Sequence, residues 1–193
     1  FGDASFTVLS PSRRYEDENN NSVVLRLTYG ETSFLFMGDA EREAELDILN
    51  SGYTLKSDLI KIGHHGSETS TSYVFLREVM PEYAVISVGK DNSYGHPDET
   101  VLSRLNDAGV TVFRTDQSGD ILVESDGEKL SISAPKNTAP ASSRTASSEQ
   151  TVSAAQTGEY IGNINSKVVH LASCGSLPNP KNRAYFATLE EAL

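Results

Sequence analysis

An α/β fold, with mixed sheets and helices packed outside them, is what this sequence predicts, on three observations. Short β-rich runs alternate with helical segments through residues 1–133. Two hairpin-like pairs, residues 22–28 with 33–37 and residues 120–124 with 129–133, flank a strand–helix–strand–helix stretch. Apolar runs end on a glycine, as strands do where they turn into loops: Phe36-Met37-Gly38, Lys61-Ile62-Gly63 and Ser87-Val88-Gly89.

Taken in order, residues 6–9 read as a short strand and residues 16–21 as a polar turn. The runs 22–28 and 33–37 join through Tyr29-Gly30-Glu31 as a hairpin. Residues 40–50 form a helix, with Leu46 and Leu49 on one side and Gly52 just beyond its end. Residues 58–62 are a buried strand stopping at Gly63, residues 72–80 a helix ended by Pro81, and residues 84–88 a strand ended by Gly89. Residues 97–108 carry the marks of a helix: Pro97 at its first position, Asp98 and Glu99 in its first turn, Gly109 as its stop. Strands follow at 110–114, 120–124 and 129–133. Residues 134–158 are almost wholly Ala, Ser, Thr, Pro and Gln, too poor in apolar groups to offset the entropy of ordering, and are expected to be a flexible linker. Residues 159–193 regain aromatic and aliphatic side chains as a small second module, short for an independent core.

Charge and composition exclude several functions. The 193 residues carry a net −11. Residues 1–133 hold 11 basic and 23 acidic side chains, a net −12, whereas residues 134–193 hold five and four. An acidic chain does not grip duplex DNA through a broad basic face. No apolar run is long enough to span a bilayer. One cysteine, Cys174, cannot build an intrachain disulfide framework. Phe1 opens the chain with no basic, apolar leader and in mid-pattern, so a piece of a longer protein is expected. A G-x-S-x-G elbow, a P-loop and a G-x-G-x-x-G are all missing, which disfavours serine hydrolases and nucleotide folds.

Chemistry gathers where strands end. Met37-Gly38-Asp39, Gly63-His64-His65-Gly66-Ser67 and, after a short loop, Tyr94-Gly95-His96-Pro97 each follow an apolar run, and ligands bind where such loops converge. Three of the four histidines fall in this set. A carboxylate with imidazoles is a ligand set for Zn²⁺, Mn²⁺ or Fe, and an Asp can bridge two ions. Plainer roles stand beside this one. Asp39 reads equally as the N-cap of the next helix. The His pair reads as solvated loop, His96 as a cap, and Ser67, Ser70 and Ser72 as turn and cap residues.

A longer string of motifs is specific enough to carry a resemblance. Asn19-Asn20-Asn21-Ser22-Val23-Val24-Leu25-Arg26-Leu27, then Phe34-Leu35-Phe36-Met37-Gly38-Asp39-Ala40-Glu41, Ile62-Gly63-His64-His65-Gly66-Ser67, Val85-Ile86-Ser87-Val88-Gly89 and Tyr94-Gly95-His96-Pro97 follow one another in order. Together they resemble the metallo-β-lactamase-fold domain of ComEC/Rec2-type DNA-uptake proteins, over about residues 6–133. The resemblance implies the C-terminal part of an αββα sandwich, with two divalent ions (Zn or Mn) in the intact domain. It implies hydrolysis of a phosphodiester in nucleic acid by a metal-bound hydroxide. By position, Asp39 matches the bridging ligand. One of His64 and His65 matches a ligand of the second metal. His96 matches a phosphate binder or proton donor, so Asp39 and His96 are the candidate catalytic residues. Ser67, Asn21 and Ser22 are candidate substrate contacts. The family's first motif, His-x-His-x-Asp-His, has no match here, and no His precedes His64. The chain as given is therefore not expected to be fully active.

The tail has a likeness of its own. Tyr160-Ile161-Gly162-Asn163, His170, Cys174, Lys181-Asn182-Arg183, Tyr185-Phe186 and Glu190-Glu191-Ala192 resemble the small Ada-like zinc-binding module, in which Cys174 and His170 would be partial ligands of one Zn. The plainer role is a buried Cys beside a surface His. The combined expectation is a metal-dependent hydrolase with nucleic acid as substrate, at a bacterial cell surface or outside it, with the oligomeric state open. A lactone or small-ester hydrolase of the same fold, and a catalytically inactive binding module, are the alternatives.

Overall fold

The computed structural model describes residues 2–134 in full and the backbone of residues 160–163, 169–171 and 183–186. The chain divides into two units, Phe1–Asn137 and Thr138–Leu193. The first is mixed α/β, and a six-stranded sheet organises it. Its strands are β1 (Ala4–Ser10), β2 (Val24–Tyr29), β3 (Thr32–Phe36), β4 (Leu59–Lys61), β5 (Tyr83–Ile86) and β6 (Thr111–Arg114), side by side in sequence order. The pairs β1–β2 and β2–β3 are antiparallel, whereas β3–β4, β4–β5 and β5–β6 are parallel. Parallel neighbours need crossovers, and the helices α1 (Arg42–Asn50), α2 (Tyr73–Val79) and α3 (Glu99–Asp107) supply them. The expected hairpin forms with Tyr29 opposite Thr32, and Gly30 takes the left-handed conformation that its turn requires (φ 58°).

Register places Leu35, Ile60, Ala84 and Val112 in one row across the sheet. The first three are fully buried and share a core with Ala44 and Ile48 of α1, Phe75, Leu76 and Val79 of α2, and Val101 and Leu105 of α3. The helix ends differ from expectation in instructive ways. α1 starts at Arg42, because Ala40 is tied back in a turn to the Met37 carbonyl and Glu41 is extended. Leu46 is exposed while Glu45, its neighbour, is buried. Glu45 is drawn inward because its carboxylate accepts the backbone N–H groups of Thr71 and Ser72. α3 starts at Glu99, so Pro97 is not its first residue. Asp98 is the cap, accepting the Thr100 N–H at 2.8 Å. β5 stops at Ile86 because the backbone of Val88 bonds to the Thr115 hydroxyl instead of to a strand.

The second face of the sheet is different. Phe6, Leu27, Phe34, Phe36, Lys61 and Val85 line an open groove there. Its far wall is β7 (Leu122–Ser125), which pairs antiparallel with β8 (Leu130–Ser133) as a separate two-stranded sheet. The two hairpin turns touch: Glu31 donates to the Gly127 carbonyl at 2.6 Å, and Thr32 and Ser125 share a hydroxyl bond at 2.7 Å. A Cβ on Gly30 would lie 2.2 Å from the Gly127 oxygen, so this contact demands glycine.

In the second unit, β9 (Tyr160–Asn163) is flanked by β10 (Val169–Leu171) and β11 (Arg183–Phe186), both antiparallel to it. The linker expected at 134–158 lies, apart from residue 134, outside the described residues. Cys174 lies outside them too, and of His170 only the backbone, paired with Ile161, is described. Among the described residues no helix is long and apolar enough to cross a membrane.

Candidate metal centre

Three loops meet at the C-terminal ends of β3, β4 and β5, and close backbone approach holds them together. His64 donates its N–H to the Gly38 carbonyl at 3.0 Å, and Asp98 donates to the Gly66 carbonyl at 2.8 Å. Asp39 donates its N–H to the Ser22 hydroxyl at 3.0 Å. Two glycines make these approaches possible. A Cβ on Gly63 would lie 2.9 Å from the Ala40 carbonyl, and one on Gly66 only 2.6 Å from Pro97. The strain falls on the histidines. His64 (φ 44°) and His65 (φ 55°) both sit in the left-handed region, which costs a side chain of this size free energy and is met where a site fixes an orientation.

That orientation brings together two atoms of the kinds that ligate metals. His65 Nε2 faces Asp39 Oδ1 at 3.7 Å. The other ring nitrogen, Nδ1, lies 2.7 Å from the Ser87 carbonyl. A carbonyl only accepts, so Nδ1 carries a proton, and in the neutral ring Nε2 turns its lone pair toward Asp39. His64 is held by a carboxylate: its Nδ1 lies 2.8 Å from Glu41 Oε1. The same oxygen accepts from the Thr69 hydroxyl at 2.8 Å and from the Asn19 amide at 3.3 Å. Both arrangements are those by which proteins orient imidazole ligands.

His96 completes a row of rings. Its centroid is 5.7 Å from that of His64, which is 6.2 Å from that of His65. Burial first, then the proximity of His64 and His65, lowers the His96 pKa below the ordinary histidine value and favours the neutral ring. Lys61, at the end of β4, has its pKa lowered by burial against an opposing pull from Asp39, and it donates to the Ile62 carbonyl.

Asp39, His64, His65 and His96 converge on one rim. Asp39 does not cap α1, whose N-cap is Glu41, and His96 does not cap α3. Ser72 does cap α2, accepting from the Phe75 N–H. Ser70 bonds to the carbonyls of Gly63 and Ser67, and the Ser67 hydroxyl pairs with Thr69. Asn21 bonds to the backbone of Tyr15 and Asp17, and Ser22 supports Asp39, so both act on the loops. Four groups were missed: Glu41, the Ser87 carbonyl, Asn20 and Asn92. Asn20 accepts the N–H groups of Glu41 and Ala44 at the start of α1. Asn92 ties its loop to His96. Glu41 lies two residues past Asp39 and Asn92 four before His96, so proximity to the motifs was the available signal.

The fit of a metal ion can be judged from the donors. Two ligand atoms on a tetrahedral Zn²⁺ stand about 3.4 Å apart, given bonds of about 2.1 Å. The 3.7 Å between Asp39 Oδ1 and His65 Nε2 suits two corners of such a sphere. Among the described residues no group of three or more His, Cys, Asp and Glu converges to hold an ion. The pair supplies two atoms of ligand type, and no third His, Cys, Asp or Glu joins them among the described residues.

Comparison with known proteins adds to this geometry. No family model matches the chain. It is 42% identical over 120 residues to ComE operon protein 3 of Bacillus subtilis, an alignment covering 62% of this chain and 16% of that protein. It is 44% identical over 116 residues to competence protein ComA of Neisseria gonorrhoeae, covering 59% and 17%. Recombination protein 2 of Haemophilus influenzae is 36% identical over 129 residues, covering 66% and 16%. The chain thus spans about a sixth of the length of these relatives.

Proposed function

We propose that this chain contributes to DNA uptake as the C-terminal part of a metallo-β-lactamase-type αββα domain that hydrolyses phosphodiesters with the help of divalent ions. The names of two relatives, competence protein ComA and recombination protein 2, support the process. One observation carries the chemistry: Asp39 Oδ1 and His65 Nε2 face each other at 3.7 Å, with His65 Nδ1 anchored on a carbonyl. Asp39 and His65 would hold a Zn²⁺ or Mn²⁺ ion, and an ion in that position supplies Lewis-acid polarisation of a phosphoryl oxygen and a water acidified toward neutral pH. Ser87 keeps His65 in the ligating tautomer. Glu41 fixes the ring of His64 through Nδ1 and leaves Nε2 as its working nitrogen. His96, favoured in its neutral form, would face the scissile group and hydrogen-bond a phosphate oxygen through its ring N–H.

The test pairs metal binding with turnover. Titration of the chain with Zn²⁺ and Mn²⁺ is expected to show binding that weakens by more than about 100-fold in Asp39→Ala and in His65→Ala, beyond the roughly 10- to 100-fold that loss of an outer-shell partner costs. Undiminished metal affinity in Asp39→Ala overturns the reading. Metal-dependent hydrolysis of bis(p-nitrophenyl) phosphate by a chain that includes the missing corners supports phosphodiester chemistry, whereas turnover of lactones alone identifies a small-ester hydrolase. The incomplete ligand set favours a second reading, a binding module without catalysis, and metal binding with no turnover in that longer chain would establish it.

A further inference from the structure

We propose that Tyr94 is a stacking shelf for a nucleobase of single-stranded nucleic acid, set beside the candidate metal centre. The inference rests on the phosphodiester reading of that centre and narrows it to unpaired strands, whose bases are free to stack. Tyr94 is 82% exposed, more than any other large apolar side chain among the described residues. Its ring lies nearly parallel to that of His96, at 15° with centroids 5.9 Å apart. His96 leads on to His64, His64 to His65, and His65 to Asp39. A base stacked on the outer face of Tyr94 would therefore extend a row of rings that ends at the metal-binding pair.

The shelf is held in place by its own loop. Asn92 donates its amide to the carbonyls of Gly89 (3.0 Å) and His96 (2.7 Å) and accepts the His96 N–H at 3.0 Å. Tyr94 lies inside that clamp, so the backbone that carries its ring is ordered before any ligand arrives and less ordering entropy remains to be lost on binding.

Charge supplies the reason such a contact is needed. Residues 1–133 carry a net −12, so a polyanion gains no affinity from the bulk field of this unit. Base stacking on an aromatic ring is independent of charge and tolerant of sequence. An acidic site that acts on a polyanion is thus expected to hold the bases and leave the phosphate to the bound cation.

Binding of a fluorescein-labelled oligothymidylate with phosphorothioate linkages, in Mn²⁺ and followed by anisotropy, tests this on the full chain. Tyr94→Ala is expected to weaken binding roughly tenfold and Tyr94→Phe to keep it, as each stacked base contributes on that scale. An abasic oligomer of the same length should bind the native chain as weakly as the thymidylate binds Tyr94→Ala, and the native salt dependence should be shallow. The exposure of Tyr94 predicts an unchanged thermal midpoint in both variants, which checks their folding. Equal affinity of Tyr94→Ala and the native chain overturns the shelf, as does equal binding of the abasic oligomer. Failure of the native chain to bind either oligomer also overturns it. The metal titrations of Asp39→Ala and His65→Ala are independent of these arms, so the shelf can fall while the metal centre stands.

Discussion

On one face of the six-stranded sheet, Leu35, Ile60 and Ala84 are sealed beneath three helices. On the other, their immediate neighbours Phe36, Lys61 and Val85 look into an open groove. The strands themselves read alike on both faces, as nearly continuous apolar runs of the kind found where a sheet is covered on both sides. Apolar character thus reports the capacity of a face to be covered, and the presence of a cover is a separate matter. The candidate centre lies at the end of these strands, where the loops of the sealed face are locked and the groove begins.

The largest expected effect tests the two faces directly. Ile60→Ala should lower unfolding stability by about 2–5 kcal/mol in urea titration, because it leaves a cavity in a close-packed core. Phe6→Ala, at a side chain 59% exposed, should cost well under about 1 kcal/mol. A Phe6→Ala cost as large as that of Ile60→Ala would mean that the second face is covered in solution and would erase the contrast. Gly66→Ala comes next. Its φ of 83° and the approach of Pro97 to 2.6 Å should cost roughly 1–3 kcal/mol and displace His65, read as a change in the imidazole NMR signals. Asp98→Ala should cost about 1 kcal/mol for a lost helix cap, less than either Ile60→Ala or Gly66→Ala. Hydrogen bonds from Thr100, side chain first, hold the Asp98 pKa below its usual 3.8. Its contribution is therefore fully present above pH 3.8 and lost as the pH falls further, and the variant should lack that part of the acid transition.

Much of the first unit was legible because its signals are local. Gly30, Gly52, Pro81 and Gly109 punctuate the elements where the structure turns. The rim of Asp39, His64, His65 and His96 was legible as well, since a strand's C-terminal end is defined by chain order alone. The errors share one cause. Leu46 and Glu45 exchanged places because a hydrogen-bond demand from Thr71 and Ser72, 26 and 27 residues away, outweighs the local apolar pattern. Glu41 was passed over for the same reason, as its carboxylate matters only once Thr69, Asn19 and His64 surround it.

Residue order by itself determined the α/β class, the strand that each loop follows, the acidic balance that denies a polyanion a basic face, and which histidines could share an edge. Tertiary structure alone decided that His65, through the Ser87 carbonyl, turns its Nε2 to Asp39, that Glu41 holds His64, and that Tyr94 stands bare on His96. The physical reason lies in range. Propensity and turn chemistry act over a few residues, whereas a tautomer or a ring's free face depends on groups that only the folded backbone brings within a hydrogen bond of one another.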